Sequence, residues 1–490
     1  MNKPPLIARF VLPAVIAMAP VFVDAQEATG STAMNDVTRL EDVLASVQVH
    51  FPLIMAAQAE IAGKDSLVQA AQGAFDPVIQ GTYRNRLSGY YDGNSMESFY
   101  RKRFGAFGTE VFAGFRRSNG DFPTYENDLL TTSDGESRVG ISMSLWRNRD
   151  FDELRYATAS ARVDALAERY KLQEEVISVL QDAYIAYAQW LQAARLLGDF
   201  TELMTIAENR AAAVRRSVES GDTAEIIAVD NDLAVLQRRS LVVDAQRLLD
   251  ASAYRLSLYY RFEDGSPRLP VYMEGIGIPE ENLGDTSDLN TILNRVVELD
   301  PRIAMARMSQ QQEELDIRLA ENMAKPRVDL RFYNSRDFGS GIIALQQAEN
   351  IADISFSIPL ATNTARGKAD AARSRISGIS YRIRQYINEA RADLEVALVN
   401  LEATRELESI ALAELDASRQ LATAEARRFE AGLSDFFQLN LREQVVAEAE
   451  LKRWRAHFDH QVALANFYGV SLDLDALGLD TGLLPILPEQ

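Results

Sequence analysis

The chain of 490 residues has no cysteine, which excludes disulfides, thiolate metal centres, a cysteine nucleophile and lipidation at a cysteine. Histidine is scarce, and two of the three, His457 and His460, stand in "RWRAHFDH" among arginines that oppose a cation. That stretch reads as a solvated helix face, and neither a metal nor any other cofactor is expected. Basic charge is in deficit as well: 51 Lys and Arg against 71 Asp and Glu leave a net charge of −20. Phosphate binding wants a basic surface, so nucleic acid is not an expected partner. Beyond the N-terminal stretch no run of 18 consecutive apolar residues occurs, so no membrane helix is expected. Catalytic signatures are missing too. There is no G-x-S-x-G and no H-E-x-x-H, and "EGIGIPEE" lacks the third glycine and the helix of a phosphate loop, so nothing marks an enzyme.

Proline is absent from two long stretches, between Pro123 and Pro267 and between Pro359 and Pro485. Within them, residues 151–262 hold only Gly198 and Gly221, and residues 362–468 only Gly367, Gly378 and Gly432. Segments so free of helix breakers predict very long helices. The apolar spacing agrees. Ile376, Ile379, Ile383, Ile387, Ala390, Leu394, Ala397 and Leu401 keep a period near 3.5, and Val163, Leu166, Tyr170, Ile177, Leu180, Tyr184, Tyr187 and Leu191 fall on a heptad grid with Gln173 in the gap. A helix from 151 to 220 would run about 100 Å, beyond the diameter of a compact domain. Each stretch has one turn signal, Gly221 in "RRSVESGDTAEII" and Gly432 in "RRFEAGLSDFF". Glycine suits a left-handed helix C-cap, and the Asp or Ser that follows suits the next N-cap, so both stretches read as helical hairpins with one long and one shorter arm.

What is present is written twice. "AFDPVIQGTYRNR" with Pro77 returns as "MAKPRVDLRFYNSR" with Pro326, and 25 residues earlier Pro52 answers Pro301; both pairs are 249 residues apart. This is the mark of an internal duplication. Helices are expected at 53–74 and 302–323, each stopping before its proline. Strands follow: "VDLRFYN" alternates Val328, Leu330 and Phe332 against Asp329, Arg331 and Tyr333, while "VGISMSLW" and "ISFSIPL" alternate in the same way. The last two lie only 213 residues apart, Ile141 to Ile354, so the first strand region carries about 36 extra residues. A chain that leaves and returns to helices at one end needs an even number of crossings. Of three strand-like pieces before residue 147, one is expected not to span; the extra residues include the strand-like 104–116, and a long external loop is one reading of a role that the sequence leaves open.

Residues 1–25 join Lys3 and Arg9 to the apolar run "FVLPAVIAMAPVFV" and end in "VDA", the plan of a secretory signal peptide cut after Ala25. The domain plan is a signal peptide (1–25), a first repeat (26–262, strands about 78–147, hairpin 151–262), an irregular segment (263–290), a second repeat (291–468, strands about 327–360, hairpin 362–468) and a tail (469–490).

In this order of parts the chain resembles the outer membrane efflux protein family, the TolC-like channels of Gram-negative envelopes. The shared marks are the paired prolines around an Ala-rich helix, "SLWRN" and "SIPLA" running into very long helices, the glycine tips, and the aromatic and Ala-rich "DAYIAYAQWLQAARLL" at 182–197. The resemblance implies a mainly α, internally duplicated fold with long hairpins forming a periplasmic tunnel. It also implies four strands per protomer in a barrel shared by a homotrimer. It implies a passive exit duct in outer membrane lipid, reaching into the periplasm, joined to an inner-membrane transporter by a periplasmic adaptor (membrane fusion) protein. The tips or gate would then be Gly221, Asp222, Glu225 and Asp230 in one hairpin and Gly432, Asp435 and Gln438 in the other. Some family members close this end with an aspartate ring; this chain has Gln438 and Leu441 there, so the ring does not carry over. Asp222, Glu225, Asp230 and Asp435 would make an acidic constriction, or Asp222 and Asp435 would simply cap helix starts. Tyr83, Phe332 and Tyr333 are candidates for a membrane girdle. Competing readings are the outer component of a type I protein secretion system and a soluble periplasmic coiled-coil adaptor or scaffold.

Overall fold

The computed structural model describes residues 37–123, 129–278 and 288–479; the expected signal peptide and the end of the tail lie outside them. The first half runs α1 (Leu40–His50), α2 (Pro52–Gln72), β1 (Val78–Asn85), β2 (Gly93–Arg103), β3 (Glu110–Gly120), β4 (Gly135–Ser144), α3 (Glu153–Glu219) and α4 (Glu225–Leu256). The second runs α5 (Leu289–Leu299), α6 (Pro301–Ala324), β5 (Arg327–Phe338), β6 (Glu349–Ser357), α7 (Asn363–Glu430) and α8 (Phe436–Ser471). Pro52 and Pro301 each open a helix, where the missing N–H costs nothing because the first turn has no acceptor for it. Pro77 and Pro326 stand immediately before β1 and β5.

The long helices match the proline-free stretches: α3 has 67 residues and α7 has 68. Their heptad positions are the buried ones, with Val163, Tyr170, Ile177, Leu180, Tyr184, Tyr187 and Leu191 inward on α3 and Ile379, Ala390, Leu394, Ala397 and Leu401 inward on α7. Gln173, the gap in the grid, is buried too. The largest core cluster gathers Val43 and Val47 of α1, Leu180, Tyr187 and Trp190 of α3, Val296 of α5, Leu394 of α7, Leu464 of α8 and Leu477 beyond it. Towards the turns of the hairpins the packing thins to small clusters such as Leu415, Val446 and Ala449.

An 18-residue window within residues 40–75 reaches a mean hydropathy of 1.2, and this is the one stretch, among the described residues, helical and apolar enough to span a membrane by composition. The chain is extended at Phe51 (φ −75°, ψ 123°), which breaks that stretch into α1 and α2. Arg169 and Lys171 of α3 pair with Asp65 and Glu60 of α2 at 3.2 and 3.4 Å, so α2 lies along α3.

All strands join one antiparallel sheet in the order β1-β2-β3-β4-β5-β6. Where four strands are expected, the described residues form six. The extra residues of the first half do not form only a loop: they supply the hairpin β2–β3, paired from Gly93↔Gly120 to Arg103↔Glu110 and inserted between β1 and β4. Parity is kept, because four crossings return the chain to the end from which it left.

Candidate functional site

Side chains alternate along a strand and cross-strand partners share a side, so the register assigns every sheet residue to a face. One face carries Ile79, Tyr83, Met96, Tyr100, Val111, Phe115, Val139, Ile141, Met143, Val328, Leu330, Phe332, Ile354 and Phe356. Several are far more exposed than apolar side chains usually are in a protein surrounded by water, including Ile79 at 75%, Ile354 at 67% and Phe356 at 75%. The opposite face carries Arg101, Glu110, Arg116, Glu136, Arg138, Asp329, Arg331, Asp337 and Asp353. There Glu136 bridges Arg116 at 2.7 Å and Arg138 at 2.6 Å, and the Thr132 N–H donates to Asp337 Oδ1 at 2.8 Å.

Tyr83 and Phe332 lie on the apolar face, as a girdle requires. Tyr333 does not: it sits on the charged face, its ring 6.3 Å from that of Phe112. Consecutive strand residues point to opposite sides, so Phe332 and Tyr333 cannot both meet lipid.

At the far ends of the hairpins, Gly221 and Gly432 take left-handed φ values of +82° and +73°. Each closes its helix with paired backbone bonds: Gly221 N–H to Val218 O and Asp222 N–H to Ser217 O, Gly432 N–H to Phe429 O and Leu433 N–H to Arg428 O, all between 2.8 and 3.0 Å. Asp435 caps α8 by accepting from the Gln438 N–H at 2.8 Å. Asp222 accepts from the Ser220 hydroxyl at 2.8 Å, and Glu225 is exposed in the first turn of α4. Asp230 faces the other hairpin, accepting from Asn440 Nδ2 at 3.1 Å.

A second tie between the hairpins was not expected from the sequence. Arg210 of α3 donates to Glu443 of α8 at 2.7 Å, and Arg238 of α4 lies 4.0 Å from the same carboxylate. Arg238 is 3% exposed, and burial pushes its guanidinium below its ordinary pKa while Glu443 opposes the shift. A signal existed: Asn231, Ala234 and Arg238 are the inward positions of α4, spaced as a helical seam. Beside the turns, Phe429 and Phe436 pack with ring centroids 4.3 Å apart, while Ile226, Val229, Leu433 and Phe437 remain exposed. A cavity of about 770 Å³ lies between the two turns.

The two histidines do not lie on a solvated face. His460 is buried with Nδ1 3.2 Å from Thr404 Oγ1, and His457 Nδ1 lies 2.7 Å from Glu408 Oε1, so both face α7. The His457 contact holds the Glu408 carboxyl below its ordinary pKa. Among the described residues no cluster of three or more His, Asp or Glu is placed to hold a metal.

No protein-family profile matches this chain, and no curated protein matches it in sequence. Solved structures do match its fold. CusC, described as a transmembrane channel, aligns with a TM-score of 0.62 at 14% identity over 92% of this chain and 95% of its own. The open-state MtrE outer membrane channel of Neisseria gonorrhoeae gives 0.60 at 15% over 94% and 98%, and the CmeC outer membrane channel of Campylobacter jejuni gives 0.58 at 12% over 96% and 99%. The chain has the TolC-like fold, long helical hairpins continued by barrel strands, and its neighbours are channels rather than enzymes.

Proposed function

We propose that the protein is an outer membrane channel, the passive exit duct of a tripartite efflux system. The observation that carries this reading is a sheet with one exposed apolar face, one charged face, and two strands, β1 and β6, each paired on one side only among the described residues. In hydrocarbon an open edge leaves backbone N–H and C=O groups without partners, at several kcal/mol each by rough count. Pairing β1 of one copy with β6 of the next removes both edges. A homotrimer, the state that the TolC-like resemblance implies, would close eighteen strands with the apolar face to lipid and the charged face to water. Barrels of this size leave an aqueous channel.

The two hairpins continue that lumen into the periplasm and end at Gly221 and Gly432. No chemical step is involved. A polar lumen spares the cargo its desolvation, and an inner-membrane transporter supplies the free energy through a periplasmic adaptor. The exposed Ile226, Val229, Leu433 and Phe437 suit such a partner at the tips. Asp222, Glu225 and Asp435, tripled by symmetry, would favour cations at the same place. The Arg210–Glu443 and Asp230–Asn440 contacts hold the hairpins together, and parting them would widen the tip.

The absence of cysteine makes the test clean. In Asp230→Cys/Asn440→Cys, oxidation should abolish bilayer conductance and export, and reduction should restore both; export unchanged by oxidation would refute the gate. The channel itself is tested by extraction: a trimer that needs detergent and conducts is expected, and a monomer soluble without detergent would sink the reading. Drug susceptibility and the secreted-protein profile of a deletion strain would separate small-molecule efflux from protein secretion.

A further inference from the structure

The hairpin that enlarges the sheet also brings an aromatic cluster to the charged face. Phe112 of β3 is its centre, its ring 6.5 Å from Phe99 of β2 and 6.3 Å from Tyr333 of β5. Two glycines make room for the rings. A Cβ on Gly114 would stand 2.1 Å from the Phe99 ring, and one on Gly140 would stand 2.5 Å from Tyr333 and 2.6 Å from the Phe112 ring. Three guanidinium groups lie over these rings: Arg101 at 5.8 Å from the Phe99 centroid, Arg138 at 5.7 Å from Tyr333 and Arg331 at 5.9 Å from Phe112. Together they line a cavity of about 210 Å³, with Glu97 and Glu110 completing the wall.

Most of the charge here is already matched. Glu110 accepts from both Arg101 and Arg103 at 3.1 Å, and Arg138 is held by Glu136. Glu97, which lines the cavity, stands opposite Arg116 across the strands, and Arg116 is itself bridged to Glu136. Two features are left over. Arg331 faces Asp353 across β5 and β6 but forms no ion pair with it among the described residues, and Arg101 Nε is buried without a hydrogen-bond partner. Covering the glycines explains why rings lie there, since an aromatic across a strand glycine restores lost packing. It does not account for Arg331, a guanidinium that lines the cavity beside the rings without an ion pair among the described residues.

We propose that this cluster is a binding site for aromatic anions, one or two fused rings bearing a carboxylate or sulfonate, on the inner wall of the barrel. Its place in a lumen rests on the channel reading; the binding itself does not. The ring of the ligand stacks against Phe99 and Tyr333, and its acid group meets the Arg331 guanidinium over the Phe112 ring. The cavity is smaller than the roughly 300–1,000 Å³ of drug-sized pockets, which limits the ligand to this size. Modest affinity suits a wall site, because cargo must also leave it.

The test is equilibrium binding of 2-naphthalenesulfonate to the purified full-length protein in detergent, with cyclohexanesulfonate and 2-naphthylmethylammonium as controls. Saturable binding of the naphthalenesulfonate alone is expected. Arg331→Gln should weaken it about tenfold, the loss of one charge-assisted hydrogen bond. Tyr333→Leu should weaken it too, while Arg84→Gln, on the same face but outside the cavity, should not. Equal binding of the cation, equal binding of the non-aromatic anion, or full affinity in both Arg331→Gln and Tyr333→Leu would each overturn the site. A protein that binds the probe yet never conducts would keep the site and refute the channel. One that conducts yet does not bind it would do the reverse.

Discussion

Asn322 of α6 and Asn148, in the turn between β4 and α3, exchange two hydrogen bonds: Asn322 Nδ2 donates to Asn148 Oδ1 at 2.8 Å, and the Asn148 N–H donates to Asn322 Oδ1 at 2.9 Å. Asn148 is left-handed, φ +67°, a conformation that asparagine tolerates better than most residues. The pair ties the exit of the first strand region to the helix that enters the second, where barrel and tunnel meet. Asn322→Ala should cost about 1–3 kcal/mol by leaving buried groups unpaired. Asn148→Ala should be worse than Asn148→Gly by about 1–2 kcal/mol, the penalty of a Cβ at positive φ. Thermal melts of the helical circular dichroism would read both; equal melts for Ala and Gly at 148 would remove the backbone argument.

The tips make a similar prediction with a built-in control. A methyl on Gly221 or Gly432 would meet nothing within 4 Å, so the whole cost of alanine there is conformational, about 1–2 kcal/mol. Gly198, inside α3, also has open space but an ordinary helical φ, so Gly198→Ala should stabilise by about 0.5–1 kcal/mol. Amide exchange at the tip and the melting temperature should move in opposite directions for the two kinds of substitution.

Neighbouring residues of β4 separate the two faces. Ile141 pairs with Val111 and Phe332 on the apolar face, whereas Ser142 faces Glu110 and Arg331 on the charged one. Ile141→Arg should destabilise the inserted barrel by about 2–4 kcal/mol, the depth-dependent cost of arginine on a lipid face. Ser142→Arg should insert nearly as the parent does. The fraction of heat-resistant oligomer in lipid vesicles measures this, and equal loss in both variants would mean that the faces are misassigned.

Tyr187 of α3 is fully buried, its hydroxyl 3.3 Å from the Thr38 carbonyl. Burial, with a smaller contribution from the Asp42 carboxylate, pushes its pKa from 10.0 to about 12. The unfolded chain therefore loses this proton first as pH rises. Stability from this group is intact below about pH 10 and falls as pH climbs towards 12. Tyr187→Phe should flatten that part of the curve of melting temperature against pH; an unchanged slope would assign the alkaline loss to other groups.

Much of the site was legible in sequence, but unevenly. Gly221 and Gly432 were legible as turns, although glycine alone does not mark one, since Gly198 sits inside α3 at an ordinary helical φ. Phe332 and Tyr333 are separated by period-two alternation, which by itself puts them on opposite faces of β5 and denies a girdle that holds both. The strand β2 was missed for a physical reason: "GNSMESFYRKR" carries Phe99 on one face and Tyr100 on the other, and polar residues on both, so its alternation has no contrast. His460 and Arg238 were misread or overlooked because a polar residue on a long helix looks solvated until its partner helix is known.

By itself the sequence determined the length of the helices, the places where they turn, the two-fold repetition and the two-faced character of the clearest strands. Each of these depends on residues near one another in the chain: missing prolines, positive φ at glycine, a period of 3.5 or of 2. Only the tertiary structure decided that the described residues form six strands rather than four, that Arg210 and Arg238 converge on Glu443, and that Phe99, Phe112 and Tyr333 share one wall with Arg331. Those facts are pairings between distant segments, and their energies arise from register and shared burial, which no local pattern specifies.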